Sequence, residues 1–213
     1  MEQSLTIAIS VLALAVSATT AWLTLFRRGS VKMTQPTIIF FGTDAPRHKG
    51  DIAAPKVYLR TLLFATSKRG RIIESMHVSL TRNETRQNFN VWVYGDQKLV
   101  RGSGLFVGEG GVAANHHFLT PKDDSFQFTA GKYRLDVFAK ILGETKQTLL
   151  FSQSLEITRD VAAQLKQSET GLYFDWGPDS AEYIAHVDKR SSSVETNTFL
   201  EALGVNQQPD KRG

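Results

Sequence analysis

The sequence predicts an all-β protein, a β-sandwich preceded by one membrane-length helix. Three observations carry that prediction. Short runs alternating apolar and polar residues fill most of the chain, broken repeatedly by Gly, Pro, Asn and Asp. One uninterrupted apolar run stands at the N-terminus. Only one later segment has a helical pattern. The chain has 213 residues, no cysteine and a formal net charge of +4. About 185 residues follow the apolar run, enough for one domain with its own core.

The apolar run extends from Leu5 to Phe26 without charge or proline. At a rise of 1.5 Å per residue it spans roughly 33 Å, against a bilayer core of about 30 Å. Leu5, Leu12, Leu14, Val16 and Leu25 supply its lipid-facing bulk. Trp22 and Phe26 stand where aromatic rings favour the interface, with Arg27 and Arg28 just beyond. A cleaved signal peptide is the competing reading, since Val16-Ser17-Ala18 offers the small residues a peptidase needs. The leader Met-Glu-Gln-Ser carries no Lys or Arg, however, and the run continues well past Ala18. A retained anchor is therefore expected. Arg27, Arg28 and Lys32 all follow it, so the N-terminus is expected outside and the main domain in the cytoplasm. On a helical projection Thr6, Ser10, Ala13, Ser17, Thr20 and Thr24 form one stripe. Small and hydroxylated residues gathered this way suit contact with a second transmembrane helix, of the same chain or of another subunit.

Residues 29–35 read as a linker, and strands follow. "TIIFF" (37–41), "KVYLRTLLFAT" (56–66) and "RIIESMHVSL" (71–80) come first. In the last, Ile72, Met76, Val78 and Leu80 are placed on one face, with Ser75, His77 and Ser79 on the other. "NFNVWVYG" (88–95) comes next. In "KYRLDVFAKIL" (132–142), Tyr133, Leu135, Val137, Ala139 and Ile141 face one way, and Lys132, Arg134, Asp136 and Lys140 the other. "QTLLFSQSLEI" (147–157) pairs with it across Gly143-Glu144. A helix over 159–169, capped by Thr158 or Asp160, precedes a hairpin of "GLYFDW" (171–176) and "AEYIAHV" (181–187) around Gly177-Pro178-Asp179.

"FTAGKYRLDVFAKI" adds a detail: a glycine turn, then Tyr133 at the start of a strand. It resembles the tyrosine corner of immunoglobulin-like sandwiches, a resemblance of about a dozen residues that implies an immunoglobulin-like arrangement of the strands. The sandwich is assigned to 36–189 and a flexible tail to 190–213. In that tail "FLEALG" offers a short helical turn, with Phe199, Leu200 and Leu203 as a docking motif for a protein groove.

The search for chemistry yields no catalytic constellation. Lack of cysteine removes disulfides, thiolate nucleophiles and Cys-ligated metals. "GSGLFVGEGGVAANHHF" (102–118) lacks the third glycine of a dinucleotide loop, where Val107 stands, and lacks the Gly-Lys-Ser/Thr of a Walker loop. Its glycines read as turn residues. His116 and His117 are adjacent and face opposite sides of a strand, and His48, His77 and His186 are scattered. Asp123-Asp124, Asp175 and Asp179 read as turn residues, and Ser103 lacks a nucleophile-elbow setting. No cofactor is implied. Bases are mixed with acids and not clustered with aromatics, so nucleic acid is not an expected partner. Trp92, Tyr94 and Trp176 are the candidate partner surface of the sandwich, unless they pack in its core.

The functional expectation is binding rather than catalysis: a bilayer-anchored accessory or scaffold subunit of a membrane complex. A membrane-tethered sensor whose anchors cluster on a signal, an envelope-facing carbohydrate or protein binder, and a hydrolase without a motif are the alternatives.

Overall fold

A computed structural model describes residues 2–26, 28–43, 54–95, 99–102, 104–121, 126–165 and 170–189. Helix α1 (Glu2–Ala21) continues through one π-helical turn, Trp22–Phe26. Its apolar span, Glu2–Thr24, is long enough to cross a membrane and is 0% buried. Among the described residues nothing packs against this helix.

Among the described residues thirteen strands follow, in two sheets. The strands are β1 (Val31–Met33), β2 (Ile38–Thr43), β3 (Pro55–Ala65), β4 (Arg71–Arg82), β5 (Thr85–Phe89), β6 (Val91–Gly95) and β7 (Val100–Arg101). Then come β8 (Leu105–Val107), β9 (Val112–Leu119), β10 (Gly131–Ile141), β11 (Thr148–Ile157), β12 (Thr170–Gly177) and β13 (Glu182–Lys189). Sheet I runs β13-β12-β2-β3-β9-β6-β7, with β1 also on β3; sheet II runs β11-β10-β4-β5, with β8 also on β4. The chain is thus an all-β sandwich with an N-terminal helix. Its central order places β2-β3-β9-β6 in sheet I and β11-β10-β4-β5 in sheet II.

Period-two alternation builds the core. Tyr133, Leu135, Val137, Ala139 and Ile141 all point inward from β10 and are buried. Ile39, Phe41, Leu59, Phe118 and Phe174 meet them from sheet I. Phe41 lies at the centre, its ring 5.1 Å from Phe128 and 5.3 Å from Phe174. The tyrosine corner is present: Tyr133 Oη donates to Thr129 O (2.9 Å) and accepts from Thr129 N (3.1 Å). Gly131, at φ +145°, turns the chain into β10.

Both expected hairpins form. β10 pairs with β11 around the Gly143 turn, and β12 pairs with β13 from Thr170↔Lys189 to Gly177↔Glu182. Helix α2 (Arg159–Gln164) starts at Thr158, whose side chain accepts from Val161 N. It ends before the expected boundary, and residues 166–169 lie outside the described residues.

Two expectations about organisation are corrected. Residues 29–35 are not a simple linker: β1 pairs with the end of β3, from Val31↔Ala65 to Met33↔Leu63, and Val31 is buried. A valine that fits the rim of the core gains more there than in solvent. The single inward face assigned to Ile72, Met76, Val78 and Leu80 also fails. The register jumps from Lys140↔Ser75 to Ile141↔Ile73, leaving Glu74 as a bulge. One extra residue reverses the alternation. Ile73 is therefore buried and Ile72 is exposed.

Candidate binding surfaces

The outer face of sheet I carries a row of rings across five strands. Strand register sets His186 beside Tyr173, Tyr173 beside Phe40, Phe40 beside Tyr58, and Tyr58 beside His117. Tyr173 stacks on His186 at 5.4 Å and 15° and meets Phe40 at 4.9 Å. Tyr58 meets His117 at 4.9 Å. Phe40 lies flat because Gly42 and Gly171 have no side chains beside it. A Cβ at either would fall 2.4 Å or 2.1 Å from its ring.

Polar groups border the row. Asn115 Oδ1 accepts from Tyr58 Oη and from Arg60 Nη1, both at 2.9 Å. Asp175 Oδ2 lies 3.3 Å from His186 Nδ1. Asp175 is therefore a strand residue and not the turn residue expected, since its spacing hid that β12 extends to Gly177. Phe40 is buried, Tyr58, Tyr173 and His117 are half-exposed and His186 is exposed. With the bordering donors and acceptors these accessible rings make a surface suited to stacking and directional bonds, the composition of a recognition face.

The outer face of sheet II carries a polar cluster. Asp136, only 3% exposed, accepts from Arg134 Nε at 2.9 Å and Ser152 Oγ at 2.6 Å. Arg86 Nε donates to the buried Ser79 Oγ at 2.6 Å. His77 stacks on Phe138 at 5.1 Å. Burial, and secondarily the Arg86 charge, hold the His77 imidazole below its ordinary value. These groups satisfy one another, so the face reads as a closed polar network rather than a receptor.

Trp92, assigned to a partner surface, is corrected to the core. It is 3% exposed, and its Nε1 donates to His116 Nδ1 at 3.2 Å. Gly102 gives the indole room, since a Cβ there would lie 2.0 Å from Trp92 Cε3. Tyr94 stacks on Trp92 at 4.7 Å and is half-buried. Trp176 is also half-buried, edge-on to Tyr183 at 5.1 Å. Tyr183 Oη donates to Pro36 O, and burial pushes its pKa up to about 12. His116 and His117 do face opposite sides. Among the described residues no group of three His, Asp or Glu side chains could hold a metal. Gly104 and Gly111 take positive φ in turns between β7, β8 and β9, with no helix beside them.

On α1, Leu5, Leu12, Leu14, Val16, Trp22 and Phe26 are all exposed. In the small-residue stripe, Thr6, Ser10, Thr20 and Thr24 donate to carbonyls of their own helix, at 2.7–3.0 Å for the four-residue-back bonds. Those hydroxyls need no second helix for their protons. Ala13 and Ser17 are exposed beside them. Arg28 is exposed, whereas Arg27 and the side chain of Leu25 lie outside the described residues. So do Ser103, His48, Asp123-Asp124 and the tail motif of Phe199, Leu200 and Leu203.

Set against known proteins, the chain matches no family model and no curated protein. Among solved structures it is similar to the CooA pilin subunit from enterotoxigenic Escherichia coli. That similarity has 10% sequence identity over 57% of this chain and 99% of that one, with a TM-score of 0.27. A likeness of that size carries no functional argument. The architecture itself is what stands: an apolar helix, long enough for a membrane, joined within a few residues to a two-sheet sandwich.

Proposed function

We propose that the chain is a single-span membrane protein whose sandwich is a binding or scaffold module, an accessory subunit of a membrane complex. The observation that carries this reading is α1: apolar over Glu2–Thr24, 0% buried among the described residues, and followed within a few residues by β1. Exposing that much apolar surface to water would be strongly unfavourable, so a bilayer is its natural solvent. The basic residues after the helix support a cytoplasmic sandwich. The partner surface is the ringed face of sheet I, because it combines half-exposed aromatics with bordering polar groups. A second transmembrane helix would seat on the Ser10-Ala13-Ser17 stripe by close packing.

Carbonate extraction of membranes from cells expressing the full chain tests the anchor, and photo-crosslinking from position 173 tests the face. The chain should stay in the pellet. A discrete protein adduct should form from a photoreactive residue replacing Tyr173 and disappear when Tyr58→Ala removes a ring two strands along the same row. Release into the supernatant would remove the anchor. An adduct indifferent to Tyr58→Ala would remove the face.

A further inference from the structure

The pole of the sandwich nearest α1 has properties that the anchor alone does not require. Phe26 and Val31 are five positions apart, a reach of at most about 18 Å. Val31 is fixed in sheet I, so this pole stays close to the end of the helix. The turn between β3 and β4 is fastened to the same stretch. Ser30 N donates to Thr66 Oγ1 at 2.8 Å, and Arg28 O accepts from Ser67 Oγ and Arg71 Nη1, both at 3.4 Å. Gly29 turns at φ +54° directly against Ser67.

Beside this turn three apolar side chains are exposed: Ile72 by 40%, Leu142 by 51% and Phe106 by 60%. They are neighbours. Ile72 pairs with Phe106 across β4 and β8, and Leu142 N donates to Ile72 O at 2.9 Å. The Phe106 ring lies against Gly70, where a Cβ would fall 2.5 Å from it. Around them stand the exposed bases Arg28, Lys68, Arg69 and Lys146. The exposed acids nearby are Glu74 and Glu109, while Glu144 is held by Arg71 at 2.7 Å.

We propose that this pole is a lipid-binding surface: Ile72, Phe106 and Leu142 enter the headgroup layer, and the surrounding bases meet anionic phosphates. Apolar side chains ringed by Lys and Arg have the chemistry of interfacial binding, and basic residues beside a bilayer are drawn to anionic lipid. The short tether supplies a high local concentration of that one ligand. The sandwich then sits at a fixed tilt, leaving the ringed face of sheet I to present to a partner. This inference rests on α1 being inserted, and its test separates the two.

The chain has no cysteine, so single reporters are unique. Leu142→Cys, Leu12→Cys and Glu84→Cys, each carrying an environment-sensitive fluorophore, are placed in the full chain. The protein is reconstituted in phosphatidylcholine–phosphatidylglycerol vesicles containing a doxyl-labelled lipid quencher. Labels at 12 and 142 should be quenched, and the label at 84, in the opposite turn between β4 and β5, should not. Phe106→Asp, or Lys68→Glu with Arg69→Glu, should abolish quenching at 142 and leave it intact at 12. Quenching at 12 without quenching at 142 overturns the inference and spares the anchor. A blue shift at 142 without quenching means a protein covers the pole, and also overturns it. Equal quenching at 142 in phosphatidylcholine alone, unaffected by the charge reversals, overturns the anionic assignment. Absence of quenching at 12 removes the anchor reading and this inference with it.

Discussion

Tyr133→Phe removes one oxygen from the fold and keeps the ring. That oxygen makes two backbone hydrogen bonds, donating to Thr129 O at 2.9 Å and accepting from Thr129 N at 3.1 Å. Both tie the turn before β10 to the strand at the centre of sheet II. Tyr133 is 3% exposed, so water cannot readily replace the oxygen. The ring contacts with Phe41 and the Arg82 guanidinium, at 6.3 Å and 5.8 Å, survive the substitution. At about 1 kcal/mol net for each bond, the expected loss is about 2 kcal/mol, roughly 30-fold in the folding equilibrium. For a domain of this size that lowers Tm by about 4–8 °C. Denaturant titration of the full chain in detergent, followed by fluorescence of the buried Trp92, reads the difference. A loss below about 0.5 kcal/mol would refute the corner as a structural tie.

Three further substitutions probe separate parts of the account. Val31→Ala should cost about 2 kcal/mol from two buried methyl groups and the space they leave, where a true linker would lose nothing measurable in the same titration. Gly171→Ala drives a Cβ to 2.1 Å from the Phe40 ring and should cost about 1–3 kcal/mol, much of it recovered by adding Phe40→Ala. Additivity of the pair would deny that this glycine makes room for the ring. His77 is held below its ordinary value, so below about pH 6.5 the unfolded chain binds more protons than the fold. Stability should therefore fall as pH drops through that range, and His77→Phe, which keeps the stack on Phe138, should flatten the profile; an unchanged acid limb would contradict the assignment.

The sandwich was legible wherever alternation ran unbroken. β10 and the two hairpins follow from period two and glycine turns, because one buried face demands it. The sequence could not show the bulge at Glu74, since pairing register, not local pattern, decides which of Ile72 and Ile73 turns inward. β1 was hidden for a related reason: three residues carry too little alternation, and their partners lie in β3, thirty or more positions on. Asp136 was placed on the outward face, but its burial depends on Arg134 and Ser152 folding over it. The ringed face was not legible as a row. Its members come from five strands between Phe40 and His186, and only the order β13-β12-β2-β3-β9 makes them one row. The aromatic residues that seemed conspicuous, Trp92 and Tyr94, were conspicuous because they build the core.

The helix and its orientation are the centre of the account, and membrane topology tests them most directly. Two reporters are fused separately to the C-terminus of the full chain, one active only outside the cytoplasm and one fluorescent only inside it. The account predicts signal from the inside reporter, in a membrane fraction that resists carbonate. Activity from the outside reporter would contradict the cytoplasmic placement of the sandwich and direct the search for partners to the other side of the bilayer.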